Sequence, residues 1–149
     1  KKGDLVVTDL TLRYKGYVSD ATRTFALGKI STQANEAYEI VKESQKLGLK
    51  AVKPNVNCKD VDSACRTYIE EKNYGKYFIH STGHGIGLEV HELPTISYRS
   101  EIKLKENMAI TVEPGIYIEN KFGIRIEDSL IVKDRPIIMH KFTKDLVTI

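Results

Sequence analysis

Phe78-Ile-His-Ser-Thr-Gly-His-Gly-Ile-Gly-Leu-Glu-Val-His-Glu92 carries three of the chain's four histidines, His80, His84 and His91, among closely spaced glycines. Carboxylates in β-rich contexts lie on either side of it: Asp9 and Asp20 upstream, Glu113 and Glu127 downstream. One imidazole among four carboxylates is the donor set of a hard, oxygen-rich site for two divalent cations, not of a structural zinc. That set points to metal-assisted hydrolysis. Gly83, Gly85 and Gly87 around His84 allow close backbone approach. With no strand running into a helix here, they are weak evidence for a phosphate loop.

Working outward, the hydrophobic period changes twice. Residues 5–12 and 17–25 are β-rich, and Tyr14-Lys15-Gly16 supplies turn chemistry between them, which predicts a hairpin. Ser31 or Thr32 then caps a helix running to about Val52, with Ala37, Tyr38, Val41 and Val52 at helical spacing and Pro54 as a stop. Asn57 caps a second helix with Asp60 at N3; Val61, Ala64, Cys65, Tyr68 and Ile69 form its buried stripe and Gly75 its end. The histidine segment follows as a strand and a Gly-rich loop. Strands are predicted over 108–112, 115–118 and 123–132, with a turn at 120–123, and one more within 136–149. Strands, then helices, then strands make an α+β domain with a mostly antiparallel sheet.

Paired positions in an antiparallel hairpin have a constant sum, which puts the acids to a test. Asp9 and Asp20 share a midpoint between Tyr14 and Lys15, so a symmetric hairpin sets them directly opposite, with Cβ atoms roughly 4.5–5.5 Å apart. Facing carboxylates repel unless one keeps its proton or a cation lies between them. Glu113 and Glu127 share a midpoint at Asn120, inside the second predicted turn. Arg125 lies two residues before Glu127 on the same face, where its charge can orient a carboxylate. Any one of these acids alone reads as a solvated surface residue, and any one of the histidines as an ordinary loop residue. The argument rests on the pattern.

The 149 residues are 41% hydrophobic and 29% charged, which bounds the chain to one folded domain with a sizeable core. The net charge of +3 comes from scattered lysines, so nucleic acid is not an expected partner. With no bilayer-length apolar run or signal peptide, the cytoplasm is the expected compartment and a membrane is not an expected partner. Cys58 and Cys65 fall about two helical turns, on the order of 10 Å, apart, too far for a mutual disulfide. Lys1-Lys-Gly-Asp-Leu-Val-Val enters a strand almost at once with no initiator methionine, so the chain reads as a piece of something longer.

Four strings carry a family resemblance: Gly16-Tyr-Val-Ser-Asp20-Ala-Thr-Arg-Thr-Phe25, His80 to Glu92, Glu113-Pro-Gly-Ile-Tyr117, and Gly123-Ile-Arg-Ile-Glu-Asp128. Together they resemble the catalytic domain of the Xaa-Pro peptidases, prolidase and aminopeptidase P, of the M24 superfamily. The resemblance spans essentially the whole chain. It implies the C-terminal portion of a pita-bread fold over residues 1–149, with a curved, mostly antiparallel sheet and two helices. An N-terminal domain and the first part of the pita-bread domain, with a further active-site histidine, would lie upstream. The implied metal ligands are Asp9, Asp20, His84, Glu113 and Glu127: Asp20 and Glu127 bridging two ions, Asp9 on one, His84 and Glu113 on the other.

The resemblance further implies hydrolysis of an N-terminal Xaa-Pro bond, in dipeptides or longer peptides, by a hydroxide shared between the ions. Glu113 would accept the proton, while His80 and His91 would bind substrate and stabilise charge. Arg125 and Tyr117 would support them. Manganese is the expected ion, with cobalt or zinc also accepted in the family. The parent protein is expected to be a homodimer. The Ser-Asp-x-Thr-Arg-Thr string and His80 favour the Xaa-Pro branch over a methionine aminopeptidase-like enzyme. A non-catalytic pita-bread module that binds peptides is the other alternative, disfavoured by the complete ligand set. Thr11 departs from the family's usual glycine. With half of the cleft upstream, the chain alone is expected to bind metal weakly and turn over Xaa-Pro peptides poorly.

Overall fold

A computed structural model describes residues 1–149. β1 (Leu5–Tyr14) and β2 (Tyr17–Ala26) form the opening hairpin, followed by α1 (Thr32–Ala51) and α2 (Cys58–Glu71). After a 3₁₀ turn at Gly75–Tyr77 come β3 (Gly83–Gly85), β4 (Glu92–Ile96), β5 (Ala109–Val112), β6 (Gly115–Ile118), β7 (Phe122–Arg125) and β8 (Asp128–Ile131). β9 (Ile137–Ile138) and β10 (Val147–Thr148) complete the chain. The strands form sheets in the orders β1-β2-β10, β4-β3-β5-β8-β9 and β6-β7, antiparallel throughout except where β10 joins β2. This is the α+β arrangement that the element order predicts. No helix is long and apolar enough to cross a membrane.

The helices begin where their caps say. Ser31 is the N-cap of α1 and its Oγ accepts from the Ala34 amide at 3.1 Å. Asn57 precedes α2, but its side-chain amide donates to the Asp60 carboxylate at 3.2 Å instead of capping a backbone N–H. The left-handed residue after α2 is Asn73, at φ 65°, so the helix ends before Gly75, which opens the 3₁₀ turn. Tyr38 and Val41 of α1, Cys65 and Ile69 of α2, and Ile110, Ile116, Ile124 and Leu130 of the sheets share one core. Cys58 and Cys65 are buried free thiols, as their spacing requires.

The hairpin corrects one expectation. Tyr14 pairs with Tyr17, leaving Lys15 (φ 48°) and Gly16 (φ 87°) as a two-residue turn with both φ positive. Its centre is one position later than the Asp9–Asp20 midpoint, so Asp9 lies opposite Thr22 and Asp20 opposite Thr11. The two aspartates are therefore diagonal neighbours. Because the slip is two residues, both stay on one face.

The Glu113–Glu127 expectation fares differently. β5–β8 pairs Val112 with Asp128, and β6–β7 pairs Gly115 with Arg125, in one continuous register centred on Asn120. Glu113 and Glu127 sit opposite each other where the two ladders part. There the Glu113 amide donates to the Thr82 carbonyl at 2.7 Å and the Glu127 amide to the Thr22 carbonyl at 3.1 Å. That exchange of partners splits the strand predicted over 123–132 in two. β4 was not foreseen, and the last fourteen residues hold two short strands instead of one.

Close backbone packing fixes β3 against β5. A Cβ at Gly83 would overlap the Thr111 carbonyl oxygen and lie 3.0 Å from Thr111 Oγ1. Gly48 plays the same part where α1 crosses α2: an added Cβ would overlap Cys65 Sγ and lie 2.9 Å from Val112 Cγ1. Gly48→Ala should therefore destabilise the chain by about 1–3 kcal/mol through overpacking, although alanine is worth ~1 kcal/mol more than glycine in a helix. In urea titrations, Cys65→Ala should recover much of that loss in the double variant; independent, additive losses would contradict the packing argument.

Candidate metal centre

Four segments bring the predicted ligands together. β2 carries Asp20, β3 carries His84, the junction after β5 carries Glu113 and the break between β7 and β8 carries Glu127. One ligating atom each from Asp20, His84 and Glu127 lies within 4.8 Å of the others. His84 Nε2 is 3.1 Å from Glu113 Oε1 and 3.7 Å from Asp20 Oδ2. Its Nδ1 donates to the Gly85 carbonyl at 3.0 Å, which turns Nε2 toward the acids. Asp9 is half-exposed and shared: its Oδ2 accepts from Arg125 Nη2 at 2.6 Å, while its carboxyl lies close enough to Asp20 to help raise that acid.

The electrostatics are those of a site short of positive charge. Glu127 is 1% exposed; Thr22 Oγ1 donates to its Oε2 at 2.6 Å, but its buried Oε1 has no partner. Burial, reinforced by the Glu113 charge, pushes the Glu127 carboxyl up to about 8. Burial also raises Asp20, against the hydrogen bond from Thr11. Burial disfavours charge on His84, but its contacts with Glu113 and the Gly85 carbonyl outweigh this and raise it. A divalent cation among these atoms would give Glu127 Oε1 a partner and remove the repulsion. The residues present fit such an ion.

His80, His84, His91, Glu113 and Arg125 line one cavity of about 500 Å³. His80 is held by neighbours on both ring nitrogens, with Nδ1 on the Ser81 carbonyl at 2.7 Å and Nε2 on the Tyr117 hydroxyl at 3.0 Å. Burial lowers its proton affinity, which suits a neutral ring. The His91 ring meets His84 edge-on, with centroids 4.4 Å apart. Tyr117 does not line the cavity. It stands behind, where its hydroxyl accepts from Arg125 Nη1 at 3.0 Å and so presents its own proton to His80.

Several participants were not singled out from sequence. Thr22 receives Arg125 Nε at 3.1 Å while donating to Glu127, which makes a relay from guanidinium to carboxylate. Thr111 Oγ1 donates to Glu113 at 3.0 Å and accepts from the His84 amide at 3.0 Å. Both could have been found by strand alternation, since Thr22 is two residues from Asp20 and Thr111 two from Glu113. Behind them, Arg23 pairs with buried Asp128 at 2.7 Å and also donates to the Glu127 carbonyl. His140 Nε2 donates to the Asp20 carbonyl at 2.9 Å, a contact across 120 positions that no local pattern signals.

The profile of metallopeptidase family M24 matches residues 1–134. The chain belongs to that family. An Xaa-Pro dipeptidase of Pyrococcus furiosus is 51% identical over 134 residues, 90% of this chain and 38% of that protein. Among solved structures, an Xaa-Pro dipeptidase from Bacillus anthracis superposes with a TM-score of 0.98 at 47% identity, over 100% of this chain and 42% of the other. An X-Pro aminopeptidase from Thermotoga maritima gives 0.96 at 44%, over 100% and 43%. The chain thus spans about two-fifths of the length of these relatives, and its fold is the C-terminal portion of the pita-bread fold.

The raised acids set a pH dependence in this M24 chain. Native Glu127 keeps its proton to about pH 8, whereas its ordinary value is 4.5, so between those limits the unfolded state binds fewer protons. Stability without metal should fall as pH rises through that window. Asp20 and His84, also raised, act in the same sense. In EDTA, the urea midpoint should drop from pH 5 to pH 8, and Glu127→Gln should flatten the drop and exceed the parent at pH 8. A midpoint that rises with pH would contradict this.

Proposed function

We propose that residues 1–149 are the C-terminal portion of the catalytic domain of an Xaa-Pro peptidase, cleaving the bond before proline at the second position of a dipeptide or peptide. The observation that carries this reading is the buried, unpartnered Glu127 Oε1 beside Asp20 and His84, in a chain 51% identical to an Xaa-Pro dipeptidase. Asp9, Asp20, His84, Glu113 and Glu127 are the residues proposed to hold two divalent ions, manganese foremost given the oxygen-rich set. Bound there, such ions would supply Lewis acidity at the scissile carbonyl and make the attacking water easy to deprotonate near neutral pH.

The chain's own side chains do the rest. Glu113, steadied by Thr111 and facing His84, takes the proton of the attacking water and returns it to the leaving nitrogen. His80 presents its ring to the substrate from the Tyr117–Arg125 side, and His91 closes the opposite side over His84. Arg125 holds Asp9 and, through Thr22, Glu127, so the acids are in place before substrate arrives.

In the parent protein, turnover of an Xaa-Pro dipeptide, an Xaa-Ala dipeptide and a methionine-initiated peptide without proline should be compared with and without Mn²⁺. Metal-dependent cleavage of the Xaa-Pro substrate alone supports the reading; cleavage of the methionine peptide would make the enzyme methionine aminopeptidase-like. Peptide binding without turnover, at saturating Mn²⁺, would favour the binding module. Glu113→Gln should lower kcat by ~10²–10⁴-fold. Mn²⁺ at a hundred times its Kd should raise stability by about 2.7 kcal/mol, and Asp20→Asn should abolish most of that gain.

A further inference from the structure

His91 is exposed, and its contact with the site is an edge-on ring meeting with His84, centroids 4.4 Å apart at 69°. A side chain placed that way points where its loop puts it. The loop from Gly87 to His91 joins β3 to β4 and has no regular structure of its own. It is tied down at two places, both involving residues to which the proposed reaction gives no role.

The first tie reaches across from the hairpin. Arg13 Nη1 donates to the Leu88 carbonyl at 2.6 Å and to the Gly16 carbonyl at 3.0 Å, and its Nη2 lies 3.5 Å from Glu89. Beside it the Val18 amide donates to the Gly87 carbonyl at 2.8 Å. One guanidinium thus joins the hairpin turn to a loop 75 positions away, using the several fixed donors that lysine lacks. The second tie is internal. Glu92 Oε1 accepts from the Leu88 amide at 2.7 Å and the Glu89 amide at 2.9 Å. Gly87 makes room for it, since a Cβ there would sit 3.0 Å from both carboxylate oxygens. Carbonyls are held from outside and amides from inside, and His91 is the next residue but one after the held segment.

We propose that Arg13 and Glu92 are positioning residues that clamp the Gly87–His91 loop and thereby hold the His91 imidazole against His84 over the cavity. The contribution to the reaction rests on the reading of His91 as a substrate-contacting residue; the clamp itself does not. Arg13 is half-exposed, and exposed polar ties add little to global stability, so its removal should leave the fold intact while freeing the loop.

The test uses ¹⁵N relaxation and histidine ring shifts on the 149-residue chain. In Arg13→Ala and in Glu92→Ala, backbone order parameters at 88–91 should fall from about 0.85 to below about 0.6. The His91 ring protons should move toward free-histidine values as the His84 ring current is lost. Glu92→Gln, whose amide oxygen still accepts both N–H groups, should keep the loop ordered. Gly48→Ala, a destabilised control, should leave the His91 signals in place. Unchanged order and ring shifts in both alanine variants would overturn the clamp.

Turnover by the parent protein then separates the clamp from the role of His91. Arg13→Ala should lower kcat ~10-fold with little change in KM, as for a misplaced group. In a His91→Ala background, it should cost less than twofold more. Fully additive losses would overturn the claim that Arg13 acts through His91. A loop loosened by Arg13→Ala beside a fully active His91→Ala variant would uphold the clamp and remove His91 from the proposed reaction.

Discussion

Negative charge crowded into a dry space is what this architecture has to contain. Asp20 and Glu127 are almost wholly buried, Glu113 stands against His84, and the guanidinium on their side, Arg125, is shared with Asp9, Tyr117 and Thr22, while Arg23 is engaged by Asp128 behind them. Left to themselves such groups move apart or keep protons, because repulsion in a poorly solvated site is screened far less than in water. They stay together because each is mounted on a different segment of the sheets, a strand or the junction between two, whose backbone is satisfied elsewhere. The cost of assembling the acids is carried by sheet hydrogen bonds and by the apolar core beneath, not by the acids themselves.

The break between the two downstream ladders shows how the mounting works. A single long hairpin would bury Glu113 and Glu127 in one continuous ribbon and leave no room between them for anything else. Instead, the strands part after Val112 and rejoin at Gly115, and the freed amides find the carbonyls of Thr82 and Thr22. The same two hydrogen bonds draw in the histidine segment and the opening hairpin. Four sequence-distant segments therefore meet at one place, with Arg23 and Asp128 locking β2 to β8 from behind.

Much of this was legible in the chain because it follows from periods of two and 3.6. The helices, their starts at Ser31 and Asn57, and the opposition of Glu113 and Glu127 about Asn120 came from pattern and arithmetic alone. The Asp9–Asp20 pairing missed by one register step of two. Residues 14–16 all have turn chemistry, and only the backbone shows that Lys15 accepts the left-handed conformation beside Gly16. Tyr117 was placed near the right partners but on the wrong side of them, since a sequence gives the face of a strand and not the depth of a cavity. His140 and Arg23 reach the site through contacts more than a hundred residues long, beyond any local signal.

The glycine at position 83 has a consequence for anyone wishing to redesign this centre. With the Thr111 carbonyl where its side chain would be, β3 cannot be shifted, thickened or given a new functional group there without prising the sheet open. The imidazole next to it is in effect mounted on an immovable bench. Retuning the centre toward another ion or a larger reactant is therefore work for the other walls: the threonines of β2 and β5, the junctions on either side of the ladder break, and the adjustable loop beyond Gly87. Mutational libraries that spend diversity on the bench will return mostly unfolded chains.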